Sequence, residues 1–547
     1  VITALRRHAL TVLGLVVLAR GASATDLHVP SQYVTIQAAI SAAAPGDRVL
    51  VDPGTYHEAI DFAAKGIEVI GVGGAAVTTI TAAGLGASVV TLKHAEPAST
   101  MLQGFTITGG DGQLSGNRGG GVFIGGAASP TVRECIITGN SVSDRGGGIF
   151  VGPGPSPSSG PTIVDCVISG NQASGYGGGV YGSGIASTGW PVIRDCKIAG
   201  NQAGYGGGCA GSGDFIDCAI ESNIATGYGG GGYAVHSLRD SVLRGNSAAL
   251  FGGGYYDYQV YYVQLKDCVL LENSAQIGGG AYLSSDSPSL LGGPGAFVGG
   301  CVFARNTASV GTDGLSLSFT YFVPPQSTVT NCSFDANRLS GAGTIEIKNC
   351  IIRGVSFASA VGASYSDIEG VAVGPGNIDA DPLWIDPAAG DYRLQGCSPC
   401  IDAGDPASPL DADGTVVEMG ALRFESWTNL DGGVPGSSGD AILAGSGLLT
   451  AGSSASLALT NSSPATQVWL ILSARALAQP FKGGTLWPTL DVVVTGLSTD
   501  ATGSLQLAAT WPPLIGCGFT LYAQAWWLDP GAESGWAGSN GLRAVSR

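Results

Sequence analysis

The chain is 547 residues long, 44% apolar, and carries a formal charge of −17 with 12% charged residues. That length supports a large core and more than one domain, and the acidic balance excludes nucleic acid as the main partner, because nucleic acid demands a basic face. Glycine is abundant at 90 residues but shows no Gly-X-Y period, so collagen is excluded too.

Residues 1–24 begin with Arg6 and Arg7, continue with an apolar run from Leu10 to Ala19, and close on the small residues Ala22, Ser23 and Ala24. This pattern predicts a secretory signal peptide, and with it a secreted, cell-surface or outer-membrane location. No later stretch reaches membrane-spanning length. The next segment, VPSQYVTIQAAISAAAPGDRVLVDPGTYHEAIDF, predicts a short apolar helix at about Ile36 to Ala43, of the kind that closes the open end of a repeat stack.

Repeats follow. A cysteine and, five positions on, an asparagine occur at Cys135/Asn140, Cys166/Asn171, Cys196/Asn201, Cys218/Asn223, Cys268/Asn273, Cys301/Asn306 and Cys332/Asn337, with Ser241/Asn246 filling the one gap. The asparagines are separated by 22 to 33 residues, and most repeats add a glycine triplet before an apolar or aromatic pair. Within one repeat, TIVDCVI places Val164, Cys166 and Ile168 on one face and Asp165 on the other, the mark of a strand buried on one side. Short strands, polar turns and no internal helix predict the coils of a parallel β-helix. A repeated asparagine would then form a ladder of amides from coil to coil, and asparagine also tolerates the left-handed backbone of a sharp corner.

The stretch GYGGGVY is not a phosphate cradle, since no Gly-Lys-Ser/Thr ending follows any of the triplets. Gly177 to Gly179, and their counterparts at Gly146 to Gly148, Gly206 to Gly208, Gly252 to Gly254 and Gly278 to Gly280, are read as corners needing positive φ and close approach. Most of the 12 cysteines hold one place in successive repeats, which predicts a column of buried free thiols. Cys397 and Cys400 stand outside that column and are read as a local disulfide or inert thiols.

Residues 34–60, with TIQAAISAAAPGD followed by VLVDPGTYHE, resemble the opening segment of the pectin-lyase-like superfamily of right-handed parallel β-helices. The repeats resemble the polymorphic outer-membrane protein repeats of exported bacterial proteins, and the two resemblances together span about residues 28 to 370. They imply an all-β fold: a right-handed parallel β-helix solenoid with an N-terminal helical cap. They do not select one function, because the superfamily includes polysaccharide lyases, pectin esterases, glycoside hydrolases and adhesins.

The expected organisation is a β-helix over 25–374, a closing cap segment over 375–424, a linker over 425–438 and a small C-terminal β-sandwich over 439–547. In the cap segment, Asp402, Asp405, Asp411 and Asp413 are candidate calcium ligands, calcium being the one cofactor suggested; turn formation beside Gly and Pro is the alternative. In the final domain, strands such as QVWLILSA and FTLYAQAWWL alternate at period two. Trp526 and Trp527 fall on opposite faces there, so at most one is a surface platform.

No compact catalytic motif is present. The densest polar and aromatic stretch supplies His236, Arg239, Asp257, Tyr258 and Lys266 as candidate catalytic residues. Tyr176, Tyr205, Tyr228 and Phe251 precede the glycines in four consecutive repeats, predicting an aromatic column that either stacks internally or offers sugars a track; Tyr255, Tyr256, Tyr258, Tyr261 and Tyr262 extend it. The first functional reading is a monomeric, non-catalytic binding or adhesion scaffold whose partner is a polysaccharide or cell-surface glycan. The alternative is a polysaccharide-degrading enzyme, a pectate-lyase-like lyase or a glycoside hydrolase.

Overall fold

The computed structural model describes residues 24–153, 160–183, 190–258, 264–285, 296–319, 327–341, 345–354, 361–370 and 373–547. The signal-peptide reading, Tyr261 and Tyr262 lie outside these residues. One coil shows how the sequence makes the fold. Thr162–Val164 is a strand, Asp165 turns the chain with φ 53°, and Cys166 enters the interior. Val167–Ser169 is the second strand, Gly170 turns again with φ 63°, and the side chain of Asn171 is buried. A two-residue strand, Gln172–Ala173, leads to a third left-handed corner at Gly177 and a last strand, Val180–Gly182. Left-handed backbone is cheap only for Gly and, less so, Asn and Asp, which explains the Asp that precedes so many of the repeat cysteines.

The next coil repeats this path in register, pairing Ile163 with Ile193 and Ile168 with Ile198 in parallel. Among the described residues the stack forms parallel sheets of 14, 13 and 11 strands, called here the first, second and third sheets, and a seven-stranded ribbon of two-residue strands. Because side chains alternate, the middle residue of each three-residue strand of the second sheet faces in. Ile137, Ile168, Ile198, Ile220, Leu243 and Leu270 make one such column, each at most 1% exposed.

The asparagines form the expected ladder. The Oδ1 of Asn201 accepts from the backbone N of Asn171 at 2.9 Å and from its Nδ2 at 3.1 Å, and the same pair of bonds recurs from Asn140 to Asn337. The left-handed residue, however, is the one before the asparagine, such as Gly170 or Gly200; asparagine serves the corner through its side chain. The cysteine column is free and buried, and Ser241 substitutes in it by donating to the Arg239 carbonyl and accepting from Cys218 N. Cys350 extends the column one coil further. Burial pushes the Cys218 thiol up to about 12.

Helix Ile36–Ala42 seals the N-terminal end by burying Ile36, Ala39 and Ile40. The Thr35 hydroxyl accepts from Ala38 N and Glu58 accepts from Ile36 N and Gln37 N, while Lys65 Nζ donates to the carbonyls of Ile40, Ser41 and Ala43. Both ends of this short helix are thereby capped.

Beyond the solenoid, the closing segment packs on the outer side of the second sheet, where Tyr392 joins Leu271, Val302 and Ala304 and donates to Asp335. The C-terminal domain is a sandwich of a six-stranded and a three-stranded antiparallel sheet. Trp427–Asn429 pairs with Leu542–Val545 and so enters the six-stranded sheet from within the segment read as linker. Trp526 and Trp527 are both buried: Trp527 lies between the sheets, and Trp526 lies under Phe481 of the hairpin Ala476–Phe481/Gly484–Pro488. Neither is a platform. Cys397 bonds to Cys517 across 120 residues, tying the closing segment to the sandwich, while Cys400 is a buried free thiol donating to Asp367. The local Cys397–Cys400 disulfide expected from sequence therefore does not form; the pair is Cys397–Cys517.

Candidate functional site

Alternation along the third sheet sends one residue of each strand outward. Phe123, Phe150, Tyr181, Ala210, Tyr233, Tyr256 and Tyr282 occupy that position in successive coils, opposite core residues such as Val122, Val180 and the wholly buried Tyr255. Beside this file runs the column read from sequence. Its register starts with Arg118 and Arg145, continues through Tyr176 and Tyr205, and ends with Phe251 against Ile277. The two files interlock: Tyr228 lies 4.8 Å from Tyr256 and Phe251 lies 4.8 Å from Tyr282, ring centre to ring centre.

The column thus lies outside the coil and is also stacked on itself. Tyr176 and Tyr205 are 5.0 Å apart at 22°, and Tyr228 and Phe251 are 5.3 Å apart at 2°. At those spacings the ring faces are occupied by neighbouring rings, so no sugar enters between them. Most of the rings are half-buried, while Phe150 and Tyr256 are buried. Burial among other tyrosines holds the Tyr233 hydroxyl protonated far above its ordinary range, so it remains a donor. Arg145 closes the upper end, 5.2 Å from the centres of both Tyr176 and Tyr181, and its Nη1 donates to the Tyr181 hydroxyl at 3.0 Å. Asp144 pairs with Arg118 at 2.7 Å and with Arg145 at 3.2 Å.

The catalytic candidates are dispersed. His236 Nδ1 meets Asp214 Oδ1 at 2.7 Å, and its ring stacks 4.5 Å from Trp190 at the corner between the third and first sheets. Arg239 points outward from the first sheet, one coil before Lys266, which pairs with Asp267. Asp257 is buried and accepts from the Tyr255 hydroxyl, while Tyr258 is exposed beside Tyr233. His236 thus has a carboxylate partner in Asp214, which the sequence reading did not pick out.

The acidic candidates are engaged by cations of the chain. Asp402 and Asp413 pair with Arg547, Asp405 with Lys348, and Asp411 with Arg423 at 3.2 Å. Glu418, missed in the sequence because it sits in the apolar run VVEMGA, is buried against Asp411; burial first, and the hydrogen bond with Asp411 second, push its carboxyl up to about 8. Both line a groove of about 380 Å³ with Lys266, Lys348 and Arg423. Among the described residues no three His, Cys, Asp or Glu side chains stand as they would around a bound metal, and no helix is long and apolar enough to cross a membrane.

Successive coils of short parallel strands turned by left-handed single residues define a parallel β-helix. The family described as right handed beta helix region matches residues 66–223 and, overlapping them, 157–292, which gives the solenoid its hand. Among solved structures, a polygalacturonase from Erwinia carotovora ssp. carotovora is similar at 12% identity, over 66% of this chain and 95% of that one, with a TM-score of 0.25. A tailspike protein double mutant of E. coli bacteriophage HK620 in complex with pentasaccharide is similar at 11% identity, over 93% of this chain and 76% of that one, with a TM-score of 0.23. No curated protein sequence is significantly similar to the chain.

Proposed function

We propose that this protein is an exported scaffold that binds a glycan along the outer face of its third sheet. The observation that carries the reading is the double file of largely half-buried aromatic rings on the outer side of the third sheet, stacked from coil to coil at about 4.8 Å per coil. A polymer of repeating sugars suits such a surface, because each ring edge packs against C–H groups and each tyrosine hydroxyl bonds to sugar hydroxyls. The aromatic–aromatic contacts hold the ridge rigid before the ligand arrives, which lowers the ordering cost of binding. The sugar lies across the ring edges, in place of the face-on stacking that an isolated tyrosine would allow.

The test is binding to a panel of acidic and neutral polysaccharides, comparing the wild type with a Tyr176→Phe/Tyr205→Phe/Tyr228→Phe/Tyr233→Phe variant, which keeps the stacking and removes the hydroxyls. Equal binding to every polymer by both proteins, or no binding by either, overturns the reading.

A second reading, a polysaccharide-degrading enzyme, is favoured by one observation, the Asp214–His236 pair on Trp190. A carboxylate at Nδ1 fixes the tautomer that leaves Nε2 as the basic nitrogen, the arrangement a general base requires. Release of new reducing ends by the wild type and not by His236→Ala supports this reading, and the absence of release from any polymer removes it.

A further inference from the structure

The closing segment and the sandwich border a cavity of about 360 Å³ that lies apart from the aromatic ridge. One wall is the outer side of the six-stranded sheet, where Arg543 stands opposite Thr428 on the paired strands Trp427–Asn429 and Leu542–Val545. Alternation places the arginine there: its neighbours Leu542 and Ala544 are buried between the sheets, which turns Arg543 away from that core. The facing wall is the hairpin Trp384–Asp386/Asp391–Leu394, which contributes Arg393 and Leu394. Residues 422–425 run between the two walls and add Arg423, Phe424 and Glu425.

Three of the four charged residues that line this cavity are arginines, in a chain whose formal charge is −17. Their commitments differ. Arg393 pairs with Asp391 at 2.5 Å and Arg423 with Asp411 at 3.2 Å, and neither carboxylate lines the cavity. Both arginine side chains are more than half exposed, so water competes with these pairs and holds them loosely. Arg543 is half-buried, and among the described residues it has no ion pair and no side-chain hydrogen bond; its Nε is buried without an acceptor. Asp391 is near enough to feel the charge of Arg543, yet its carboxylate is taken by the hydrogen bonds from Arg393, which hold it below the usual range. A buried donor with no acceptor is costly, and a guanidinium cannot escape the cost by giving up its proton. Its planar fork matches two oxygens of a carboxylate or a phosphate, and the cavity has the size and the position, at a junction between two parts of the chain, of a small-molecule site.

We propose that this cavity binds a small organic oxyanion, a molecule whose carboxylate or phosphate group is held by Arg543 and whose C–H body rests on Leu394 and Phe424. Arg393 and Arg423 add positive charge to the same space, and the exposed Arg423 can turn from Asp411 to the ligand. The ligand touches the closing hairpin and the sandwich together, so occupancy stabilises the seam that the Cys397–Cys517 disulfide also crosses. The site shares no residue with the aromatic ridge, and the two readings stand or fall separately.

The test is calorimetric titration of the full chain with sodium glucuronate and with glucose 6-phosphate, using glucose as the uncharged control, at low and at high salt. The expected result is saturable binding of at least one of the two anions, weaker at high salt, with no binding of glucose. Binding of glucuronate alone identifies a carboxylate site, binding of the phosphate ester alone a phosphate site, and binding of both a site that reads only the oxyanion. Arg543→Gln is expected to weaken the anion about tenfold or more, while Arg475→Gln, an arginine of the sandwich outside the cavity, keeps the wild-type affinity. If Arg543→Gln does not fold, Arg543→Lys, which keeps the charge and loses the fork, takes its place and is also expected to bind more weakly. No saturable binding of either anion, equal binding of glucose, or an affinity unchanged in the Arg543 variant overturns the proposal.

Discussion

The Oδ1 of Asn201 receives two hydrogen bonds from Asn171 one coil earlier, at 2.9 and 3.1 Å, while Asn201 Nδ2 donates to the Ile168 carbonyl at 2.9 Å and to Asn223 Oδ1 at 3.0 Å. One wholly buried amide thus ties its own coil to both neighbours. Truncating this side chain to a methyl group leaves the Asn171 backbone N–H and the Ile168 carbonyl without their partner. The Asn201→Ala protein is expected to lose about 1–3 kcal/mol, read from urea unfolding. An unchanged midpoint contradicts the ladder as a source of stability.

The glycines divide into two kinds. A Cβ on Gly179 would stand 2.6 Å from the Gly208 carbonyl oxygen and 3.0 Å from Asn201 Nδ2, both fixed by the stack. A Cβ on Gly200 meets nothing within 4 Å, and its cost is only that of φ +63°. Other coils place Ser222, Glu272 and Arg305 at that corner with similar φ. Gly200→Ala is therefore expected to cost about 1 kcal/mol, and Gly179→Ala about 3 kcal/mol or failure to fold. The reverse order in thermal unfolding would show that the triplets are not close-approach sites.

Cys397–Cys517 spans 120 residues, so it restrains the unfolded chain strongly. Reduction, or Cys517→Ser, is expected to lower stability by about 2–5 kcal/mol, with the sandwich released first in limited proteolysis. The other ten cysteines are buried, and a thiol reagent is expected to label none of them before unfolding. Labelling of the native protein would show that the column breathes.

How far the sequence disclosed this molecule depends on periodicity. The repeat spacing exposed the coils, the Asn ladder and the thiol column, because each residue recurs at one corner where the backbone or the core demands it. The column from Tyr176 to Phe251 was visible for the same reason. Its companion file, with Phe123, Phe150, Tyr181 and Tyr233, was seen only as half of an apolar or aromatic pair; that one member of each pair faces out follows from the position of the corner at Gly177, which spacing does not give. Pairing of Cys397 with Cys517 and of Asp402 with Arg547 joins segments distant in sequence and outside any repeat, so no local pattern announces them.

Glu418 makes stability depend on pH. Its carboxyl holds a proton to about 8 in the folded chain and to its ordinary 4.5 when unfolded. The stability contributed by that proton is full below 4.5, declines as pH rises, and is gone above about 8. Asp411 and Asp402 act on the same carboxyl, and Lys266, Asp267, Lys348 and Arg423 line its groove. Unfolding midpoints are expected to fall from mildly acidic pH toward about 8 in the wild type and to be flatter over that range in Glu418→Gln. Equal slopes in the two proteins would mean that the carboxyl is not protonated in the folded state.

The most direct measurement is the affinity of the wild type and of the four-tyrosine Phe variant for the polysaccharide that binds best in a panel. Binding along the ridge predicts measurable affinity in the wild type and about tenfold or greater loss in the variant, at nearly unchanged unfolding temperature, because four hydroxyl contacts are removed and every stacked ring is kept. Identical affinities would place the glycan elsewhere on the molecule, and no binding to any polymer would contradict a glycan-binding ridge altogether.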